Sequence, residues 1–359
     1  MTGLYIHIPF CIRKCPYCDF YSIPFDESLV ERYTQTICGI IRSGRFPIKN
    51  VETVYFGGGT PSLLTPGQIA AILDAAAQSC GITGDAEITI EHNPGVKTDF
   101  RALRSAGANR LSVGVQSSVG GELVALGRLH TPEDAKTAVL SAHDAGFDNI
   151  SVDLMLGIPG QTPETLTRSI DYLTGLPVTH ISAYMLKVEE NTPFHGSGVE
   201  PDEDLCADLY LQMVRELTQR GFPQYEISNF AMPGKESKHN LNYWKLGDYL
   251  GLGPSAHSLL GGERFSFSRD LSAFLAGPLS QLIEEGPGNN AGEFIMLSLR
   301  LSEGLDLPTL ESRYSLSRGP ILERAAPYIK ANLAKLENGR LSLTPEGFLL
   351  SNTIIAELI

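Results

Sequence analysis

The stretch Tyr5-Ile-His-Ile-Pro-Phe-Cys11-Ile-Arg-Lys-Cys15-Pro-Tyr-Cys18-Asp-Phe20 decides the fold prediction for this chain of 359 residues. It begins as an apolar, β-type run and ends in a short segment that carries Cys11, Cys15 and Cys18. Thiolate sulfurs are soft ligands that favour iron–sulfur clusters and zinc. Three thiolates on one loop can hold three irons of a four-iron cluster and leave the fourth iron without a protein ligand.

Two other kinds of site are compatible with three neighbouring cysteines. A structural zinc ion takes four ligands, and the only further ligands near the cysteines are His7 and Asp19. A disulfide would leave one of the three thiols unpaired, and we expect no signal peptide that would direct the chain to an oxidising compartment. The Cys-x3-Cys-x2-Cys spacing therefore favours the cluster.

This spacing, preceded by an apolar strand and followed by an aromatic residue, resembles the radical S-adenosylmethionine (SAM) superfamily. Within that superfamily, residues 5–11 are similar to the start of the oxygen-independent coproporphyrinogen III oxidase family and its relatives, the HemW-type haem chaperones. The resemblance implies a 4Fe-4S cluster held by Cys11, Cys15 and Cys18. It also implies that the amino and carboxylate groups of SAM bind the open iron of that cluster.

Composition limits the class of protein. Hydrophobic residues make up 42% of the chain and the mean hydropathy is −0.03, while no apolar run approaches the roughly 18 residues of a membrane span. The formal net charge of −13 repels phosphate backbones, so we expect no nucleic-acid partner. The other thiols, Cys38, Cys80 and Cys206, are expected to be small buried side chains in a reducing cytoplasm.

Apolar runs alternate with helical segments over residues 1–220. The predicted strands are Leu4–Pro9, Val51–Phe56, Ala86–Glu91, Arg110–Val115, Asn149–Met155 and Thr179–Met185. The predicted helices are Glu27–Ser43, Pro66–Cys80, Asp99–Ala106, Pro132–Ala145, Pro163–Thr174 and Asp202–Arg220. Alternation of this kind favours an α/β fold with a parallel sheet. The resemblance implies a partial (β/α)6 radical SAM barrel.

Unusual polar residues recur where the predicted strands end. In parallel β/α folds, the carboxyl ends of the strands carry the chemistry. We therefore expect one site to which every strand end contributes. Besides the cysteine loop, the residues at these ends are Gly57–Pro61, Glu91–Pro94, Gln116, Asp153, Lys187 and Glu189.

The glycines Gly57, Gly58 and Gly59 form either a simple tight turn or a turn whose backbone a ligand can contact, because glycine has no Cβ. They are not a Walker loop, because no Gly-Lys-Ser/Thr follows. In the resembling family a comparable turn contacts the amino group of SAM. The resemblance assigns SAM contacts to Tyr5, Tyr17, Gly58, Gly59, Thr60, Glu91, Gln116, Arg128 and Asp153.

Three of these assigned residues also have structural alternatives. Glu91 and Asp153 could cap helices, or they could satisfy polar groups of SAM inside a largely apolar cavity. Arg128 could be a solvated surface charge, or its planar guanidinium could bind a carboxylate through two hydrogen bonds. We favour the ligand-binding role for all three. We assign no catalytic residue.

Residues 221–288 are predicted to extend the core with loop-rich, aromatic blocks. His239 and His257 lie in two of these blocks and offer imidazoles of the kind that haem iron takes as an axial ligand. A histidine beside aromatic residues is more often simply packed. We prefer His239 as the ligand and keep His257 as the alternative. Gly261–Gly288, with several glycines and prolines, is the predicted linker.

Residues 289–359 are predicted to form a small helical domain that is similar to a winged helix. The predicted elements are helices Ala291–Leu301, Leu310–Tyr314, Gly319–Leu336 and Pro345–Ile359 and the strand Gly339–Thr344. Winged helices often bind DNA, but this segment carries seven Lys and Arg against eight Asp and Glu, without a basic stripe. We expect it to cover the substrate or to contact a partner.

Two functions compete within the resembling families. The oxidases carry a further cysteine where this chain has Phe20, and they have an extension before the cluster motif, whereas Cys11 comes early here. Both differences favour a haem chaperone, which binds haem and transfers it to an acceptor. The alternative is an oxygen-independent coproporphyrinogen III dehydrogenase, which decarboxylates propionates by radical chemistry.

The chaperone hypothesis implies a 4Fe-4S cluster, exchangeable SAM and haem as bound cargo. Its partners would be haem, an acceptor protein and an electron donor in the cytoplasm. Peripheral membrane contact during delivery and a homodimer are further hypotheses. We expect haem at the mouth of the partial barrel, under the aromatic blocks at Asn229–Phe230 and Tyr243–Trp244.

Overall fold

The computed structural model describes all residues from 1 to 359, with a β-sheet at its centre. Its seventeen strands are, in chain order, β1 (Thr2–Ile8), β2 (Phe10–Cys11), β3 (Ile23–Pro24), β4 (Val51–Gly58), β5 (Ile82–His92), β6 (Arg110–Gln116), β7 (Ile150–Leu156), β8 (His180–Met185), β9 (Gln224–Glu226), β10 (Asn229–Ala231), β11 (Asp248–Leu252), β12 (His257–Leu260), β13 (Glu263–Phe267), β14 (Leu282–Pro287), β15 (Leu305–Asp306), β16 (Ala334–Glu337) and β17 (Arg340–Leu343).

Fourteen α-helices connect and cover the strands. They are α1 (Glu27–Arg42), α2 (Pro66–Ser79), α3 (Phe100–Ser105), α4 (Gly120–Ala125), α5 (Pro132–Asp144), α6 (Pro163–Thr174), α7 (Glu203–Gln219), α8 (Lys238–Trp244), α9 (Leu271–Ala276), α10 (Ala291–Ser298), α11 (Leu307–Tyr314), α12 (Arg318–Lys330), α13 (Pro345–Leu349) and α14 (Ser351–Leu358). Short 3-10 helices cover Pro61–Leu63 and Pro278–Gln281. No helix offers the length of apolar sequence that a bilayer crossing requires.

Twelve strands form one sheet in the order β14-β13-β12-β11-β1-β4-β5-β6-β7-β8-β10-β9. The strands β1, β4, β5, β6, β7 and β8 run parallel, with helices in the connections between them. These are the six predicted strands, so the α/β prediction is confirmed. Because parallel strands point the same way, their carboxyl ends all meet at one edge of the sheet.

Three of the connecting helices begin with the dipeptide Thr-Pro, at Thr65, Thr131 and Thr162. In each case the threonine hydroxyl accepts a hydrogen bond from the backbone N–H three residues later. Proline suits the first helical position because its fixed φ matches the helix and no N–H is needed there. The same short signal therefore starts α2, α5 and α6 at a defined residue.

Residues 221–288 form strands rather than the expected loop-rich region. β9 and β10 extend the sheet beyond β8, and β11 to β14 extend it beyond β1. The segment Gly261–Gly288 contains β13, α9 and β14, so the linker prediction is wrong. Gly261 and Gly262 have φ angles of 61° and 85° and make the hairpin turn between β12 and β13. These glycines mark a tight turn.

The C-terminal segment contains α10 to α14 and a three-stranded sheet in the order β15-β17-β16. The helix predicted over Gly319–Leu336 is too long, because α12 ends at Lys330 and β16 follows. Asn332 has a left-handed φ of 58° between them, which a helix cannot continue through. The predicted terminal helix is divided into α13 and α14. The boundaries at 220/221 and 288/289 stay predictions.

Candidate functional site

A cavity of about 530 Å³ lies inside the parallel part of the sheet and opens at the carboxyl ends of its strands. Side chains alternate along a strand, and every second residue of β6 lines this cavity. These residues are Arg110, Ser112, Gly114 and Gln116. Arg110 begins the strand and Gln116 ends it, so the cavity follows β6 for about 20 Å. We call the cysteine-loop end the mouth and the Arg110 end the floor.

The cysteine loop forms part of the mouth, where Cys11, Cys15 and Cys18 line the cavity as free, partly exposed thiols. The Thr60 hydroxyl donates to Cys11 Sγ at 3.6 Å, and Arg128 Nη1 donates to Cys15 Sγ at 3.4 Å. Donors of this kind stabilise thiolates. No three His, Cys, Asp or Glu side chains converge on a position for a single metal ion. The thiols and their donors fit the ligand set of an iron–sulfur cluster.

The other three cysteines lie away from the mouth. Cys38 and Cys206 are 4% and 7% exposed, and Cys80 is half-buried at the end of α2. Burial raises the pKa of each of these thiols. Their position away from the mouth fits small side chains without a ligand role.

The glycine turn at the end of β4 has a geometry compatible with both of its proposed roles. Gly58 has a φ of +110°, and its N–H donates to Glu91 Oε2 at 3.0 Å. A Cβ on Gly59 would lie 2.6 Å from the carbonyl oxygen of Phe10. The turn therefore needs glycine to pack against the strand that leads into the cysteine loop. Gly58 and Gly59 also line the cavity, where their backbone can contact a ligand.

Glu91 and Asp153 face the cavity and do not cap helices. Glu91 Oε1 accepts a hydrogen bond from the Tyr55 hydroxyl at 2.8 Å. Burial raises the pKa of Glu91. Burial, and then the negative charge of Glu91, raise the pKa of Asp153 to about 7. The two acids are therefore available to polar groups of a ligand, and the charge of Asp153 changes near neutral pH.

Arg128 lies inside the cavity wall and is not a solvated surface charge. Its Nη2 donates to Asn93 Oδ1 at 2.8 Å and to the Gly114 carbonyl oxygen at 2.6 Å. Its Nε has no hydrogen-bond partner in the protein. Together with the contact to Cys15, these bonds hold the guanidinium beside the mouth, where a ligand carboxylate could use the free N–H.

The remaining predicted SAM contacts divide into two groups. Tyr17 and Gln116 line the cavity, and Gln116 has an unusual left-handed φ of 73° at the end of β6. Tyr5 and Thr60 lie behind the cavity wall. The Tyr5 hydroxyl hydrogen-bonds with His7 Nδ1 at 3.0 Å, and Thr60 Oγ1 accepts from Asn93 Nδ2 at 2.9 Å. Tyr5 and Thr60 therefore support neighbouring side chains.

The structure does not support His239 as a haem ligand. Helix α8 closes the floor of the barrel, where His239 is 1% exposed. Its Nδ1 hydrogen-bonds with Thr53 Oγ1 at 2.8 Å and its Nε2 with the Tyr243 hydroxyl at 2.6 Å. Burial lowers the pKa of His239 to about 3. Because both ring nitrogens are engaged, neither is free to bind iron.

The aromatic blocks do not cover the mouth as expected. Tyr243–Trp244 ends the floor helix α8, and Asn229–Phe230 pairs with β8 along the sheet. His257, the alternative ligand, begins β12 with 62% of its side chain exposed, and its Nδ1 lies 3.1 Å from Glu285 Oε1. It does not line the cavity. The structure therefore supports neither His239 nor His257 as the haem ligand.

Several cavity residues were not predicted from the sequence. They are Tyr55, Arg110, Ser112, Ser182 and Asn240. A signal for two of them was present, because Arg110 and Ser112 stand six and four positions before Gln116 and so share its inward face. Asn240 gave no such signal, since its helix reaches the barrel from a distant part of the sequence.

Comparison with known sequences agrees with this arrangement. The profile of the Radical SAM superfamily matches residues 5–173, and that of the HemN C-terminal domain matches residues 287–350. A protein named heme chaperone HemW from Lactococcus lactis is 32% identical over 370 residues, which cover 100% of this chain and 97% of that protein. One of the same name from Mycobacterium tuberculosis is 34% identical and covers 99% of this chain and 94% of that protein.

Two further likenesses concern part of the chain or its fold. Radical S-adenosyl methionine domain-containing protein 1, a mitochondrial protein from Bos taurus, is 41% identical over 270 residues, covering 71% of this chain and 60% of that protein. The solved structure of coproporphyrinogen III oxidase (HemN) from Escherichia coli gives a TM-score of 0.85 and covers 99% of this chain and 89% of that one. Its 24% identity shows a shared fold.

Proposed function

This chain belongs to the HemW family of the radical SAM superfamily, and from that premise we propose that it is a haem chaperone. Relatives that match the chain along its whole length carry that name. The observation that carries the proposal is a group of exposed apolar side chains at the mouth of the cavity. Phe20, Tyr184 and Met185 line it with 64%, 43% and 40% of their surface exposed. Large apolar side chains exposed beside a cavity are typical of a ligand-binding surface.

The superfamily implies a 4Fe-4S cluster and SAM, which supply one-electron radical chemistry when bound. We propose that Cys11, Cys15 and Cys18 hold the cluster. The backbone of Gly58 and Gly59 would face the amino-acid end of SAM. The remaining contacts would come from polar side chains inside the cavity, which are Tyr17, Glu91, Gln116, Arg128 and Asp153. SAM bound in this way can exchange, because every contact is non-covalent.

We propose that haem docks its apolar edge against Phe20, Tyr184 and Met185. These side chains lie exposed when no ligand covers them, and covering them with a porphyrin removes apolar surface from water. A cargo held at an open mouth can be passed on to an acceptor protein without unfolding the carrier. We place this transfer in the cytoplasm, with an electron donor for the cluster. We also propose that delivery takes place at a membrane surface and that the protein forms a homodimer. Each of these two proposals needs a separate test.

The test is a haem titration of the anaerobically purified protein, beside an incubation with coproporphyrinogen III, SAM and a reductant. We expect haem binding, seen as a shifted Soret band, and no decarboxylated porphyrin. The double variant Phe20→Ser/Met185→Ser should bind haem at least about tenfold more weakly, since each lost apolar contact is worth about 1.5 kcal/mol or more. Leu279→Ser is the matched control, because Leu279 is 43% exposed outside the cavity. Decarboxylation of coproporphyrinogen would contradict the proposal.

A further inference from the structure

The floor of the cavity carries a buried cation that the contacts proposed for SAM do not use. Arg110 begins β6 and is 2% exposed, and arginine is almost never fully buried unless it is paired. Its Nε has no hydrogen-bond partner and lies 4.0 Å from Glu87 Oε2, the nearest carboxylate oxygen. The two oxygens of Glu87 already accept hydrogen bonds from the backbone N–H groups of Lys238 and His239. The charge of Arg110 is therefore only partly neutralised by Glu87.

Two acids from neighbouring strands lie beside this cation. In the strand register Glu91 of β5 is level with Ser112 of β6, and Asp153 of β7 is level with Ser182 of β8. All four side chains line the cavity together with Arg110. Arg110 stands two residues before Ser112 on the same face of β6, a distance of about 7 Å. Three adjacent strands thus bring one cation and two acids together in the inner part of the cavity.

The two acids need a cation in order to ionise together. Two carboxyl groups in one desolvated cavity disfavour the charged form of each other. Burial raises the pKa of Glu91, and burial followed by the charge of Glu91 raises that of Asp153 to about 7. Arg128 opposes the shift of Asp153, but its guanidinium also donates to Cys15 Sγ at the mouth. The charge of Arg110 opposes the shifts of both acids.

No other group around the acids replaces this cation. Burial keeps the surrounding imidazoles and phenols neutral at pH 7, because it lowers the pKa of the first and raises that of the second. These groups are His92, His180, His239, Tyr5, Tyr17, Tyr55, Tyr184 and Tyr243. The charges at the mouth are exposed or half-buried, so water and salt screen them more strongly than a buried guanidinium. They are Arg13, Lys14, Asp19, Lys187 and Glu189.

We propose that Arg110 is a positioning residue for SAM, which keeps Glu91 and Asp153 as carboxylates so that they select a ligand with a positively charged sulfur. The inference rests on the SAM contacts of the proposed function. Arg110 by itself repels a sulfonium cation, so its benefit is exerted only through the acids. With both acids ionised, the three side chains together carry a net negative charge. Protonation of either acid removes that net charge.

The experiment compares SAM with S-adenosylhomocysteine, which lacks the methyl group and the positive charge on sulfur. Calorimetry on the anaerobically reconstituted protein gives the ratio of the two dissociation constants, in which the titration of the shared amino group largely cancels. Arg110→Gln/Glu87→Gln removes both charges of the buried pair, so Asp153 should ionise about one pH unit higher. The preference for SAM should therefore fall about threefold at pH 7 and return to the wild-type value at pH 9.

Three further variants control for the change of charge. Arg110→Lys keeps the cation and should keep the wild-type ratio at pH 7. Glu87→Gln keeps Arg110 and should not weaken the preference for SAM. Arg264→Gln/Glu293→Gln removes an ion pair of 2.7 Å outside the cavity and should leave the ratio unchanged. Melting temperature and circular dichroism show which variants are folded, and Arg110→Gln alone makes the same prediction if Arg110→Gln/Glu87→Gln does not fold.

The outcomes separate this inference from the function on which it rests. If wild-type protein binds neither ligand, the proposed SAM contacts fail and the role of Arg110 with them. If wild-type protein binds SAM and the folded Arg110→Gln/Glu87→Gln variant keeps the ratio at pH 7, only the role of Arg110 is overturned. An equal loss of preference at pH 7 and pH 9 would show damage to the cavity and would also overturn it. So would the same loss in Arg110→Lys or in Glu87→Gln.

Discussion

At the scale of single residues, the cysteines differ in what surrounds their sulfur atoms. Cys15 faces the cavity and accepts a hydrogen bond from Arg128, whereas Cys38 is buried and donates to the Ala71 carbonyl oxygen at 3.5 Å. Cys15→Ala should abolish the bound iron and its visible absorbance after anaerobic reconstitution, because the cluster loses one of three protein ligands. Cys38→Ala should retain both. A full iron content in Cys15→Ala would contradict the cluster assignment.

We expect Asp153 to make the affinity for SAM depend on pH. Its pKa of about 7 means that the side chain is mostly neutral at pH 6 and mostly ionised at pH 8. The ionised form attracts the sulfonium cation and accepts hydrogen bonds. Calorimetry should therefore show that the affinity for SAM rises by up to about tenfold from pH 6 to pH 8. The increase should follow the fraction of molecules in which Asp153 is ionised.

Two variants isolate the contribution of Asp153. Asp153→Asn cannot ionise and should lose this pH-dependent step. Glu226→Gln removes a different carboxyl whose pKa is also raised to about 7 but which does not line the cavity, so it should keep the step. A step that survives in Asp153→Asn would assign the pH dependence to another group.

Residue positions inside the barrel could be predicted where local periodicity sets them. Glu91 and Gln116 lie near strand ends and Asp153 in the middle of β7, all with inward parity, and all three line the cavity. The orientation of His239 could not be predicted in this way. Its partners Thr53 and Tyr243 come from β4 and α8, and no local pattern shows that both ring nitrogens find partners in the folded chain.

At the scale of elements, the glycine turn after β4 packs tightly against the backbone that leads into the cysteine loop. Gly59→Ala would place a Cβ 2.6 Å from the Phe10 carbonyl oxygen and 2.8 Å from that of Ile8. Backbone atoms cannot rotate away as a side chain can, so we expect a loss of about 1–3 kcal/mol in the free energy of unfolding. Thermal unfolding followed by circular dichroism measures it.

The matched control for the turn is Gly39→Ala. Gly39 lies on the exposed side of α1, and a Cβ there would meet nothing within 4 Å. Alanine has the higher helix propensity, so this variant should gain about 0.5–1 kcal/mol. A Gly59→Ala protein as stable as Gly39→Ala would show that the turn tolerates a side chain and that its glycines serve ligand contact alone.

The elements themselves show how far sequence reasoning reaches. The parallel strands are nearly continuous apolar runs followed by helices, so their order and approximate bounds follow from local signals. The strands β9 to β14 are short and polar on one face, and β11 pairs with β1, some 240 residues away. Such pairing depends on which sheet edges are available in space. For this reason a strand-rich region was predicted as loops and a linker.

At the scale of the whole molecule, the barrel meets the C-terminal helices and strands near β9. Glu226 lies there, 0% exposed, and pairs across a backbone bridge with Leu301. Its Oε2 and the Oδ1 of the neighbouring Asn229 are buried without hydrogen-bond partners. Burial raises the pKa of Glu226 from 4.5 to about 7. A buried carboxyl oxygen without a partner disfavours the ionised form, so the neutral acid suits this junction.

The stability of the junction should therefore fall as pH rises. The pKa of Glu226 is higher in the folded state, so its stabilising effect is complete below about pH 4.5 and is lost progressively as pH rises through about 7. The loss amounts to about 3 kcal/mol over that range. Glu226→Gln cannot ionise and should remove this part of the slope. At pH 5 the wild-type protein and Glu226→Gln should have similar melting temperatures. At pH 8 Glu226→Gln should have the higher melting temperature. Parallel pH curves would show that Glu226 is already ionised in the folded protein, and then Arg300, the cation that lowers its pKa, would be its partner across the junction.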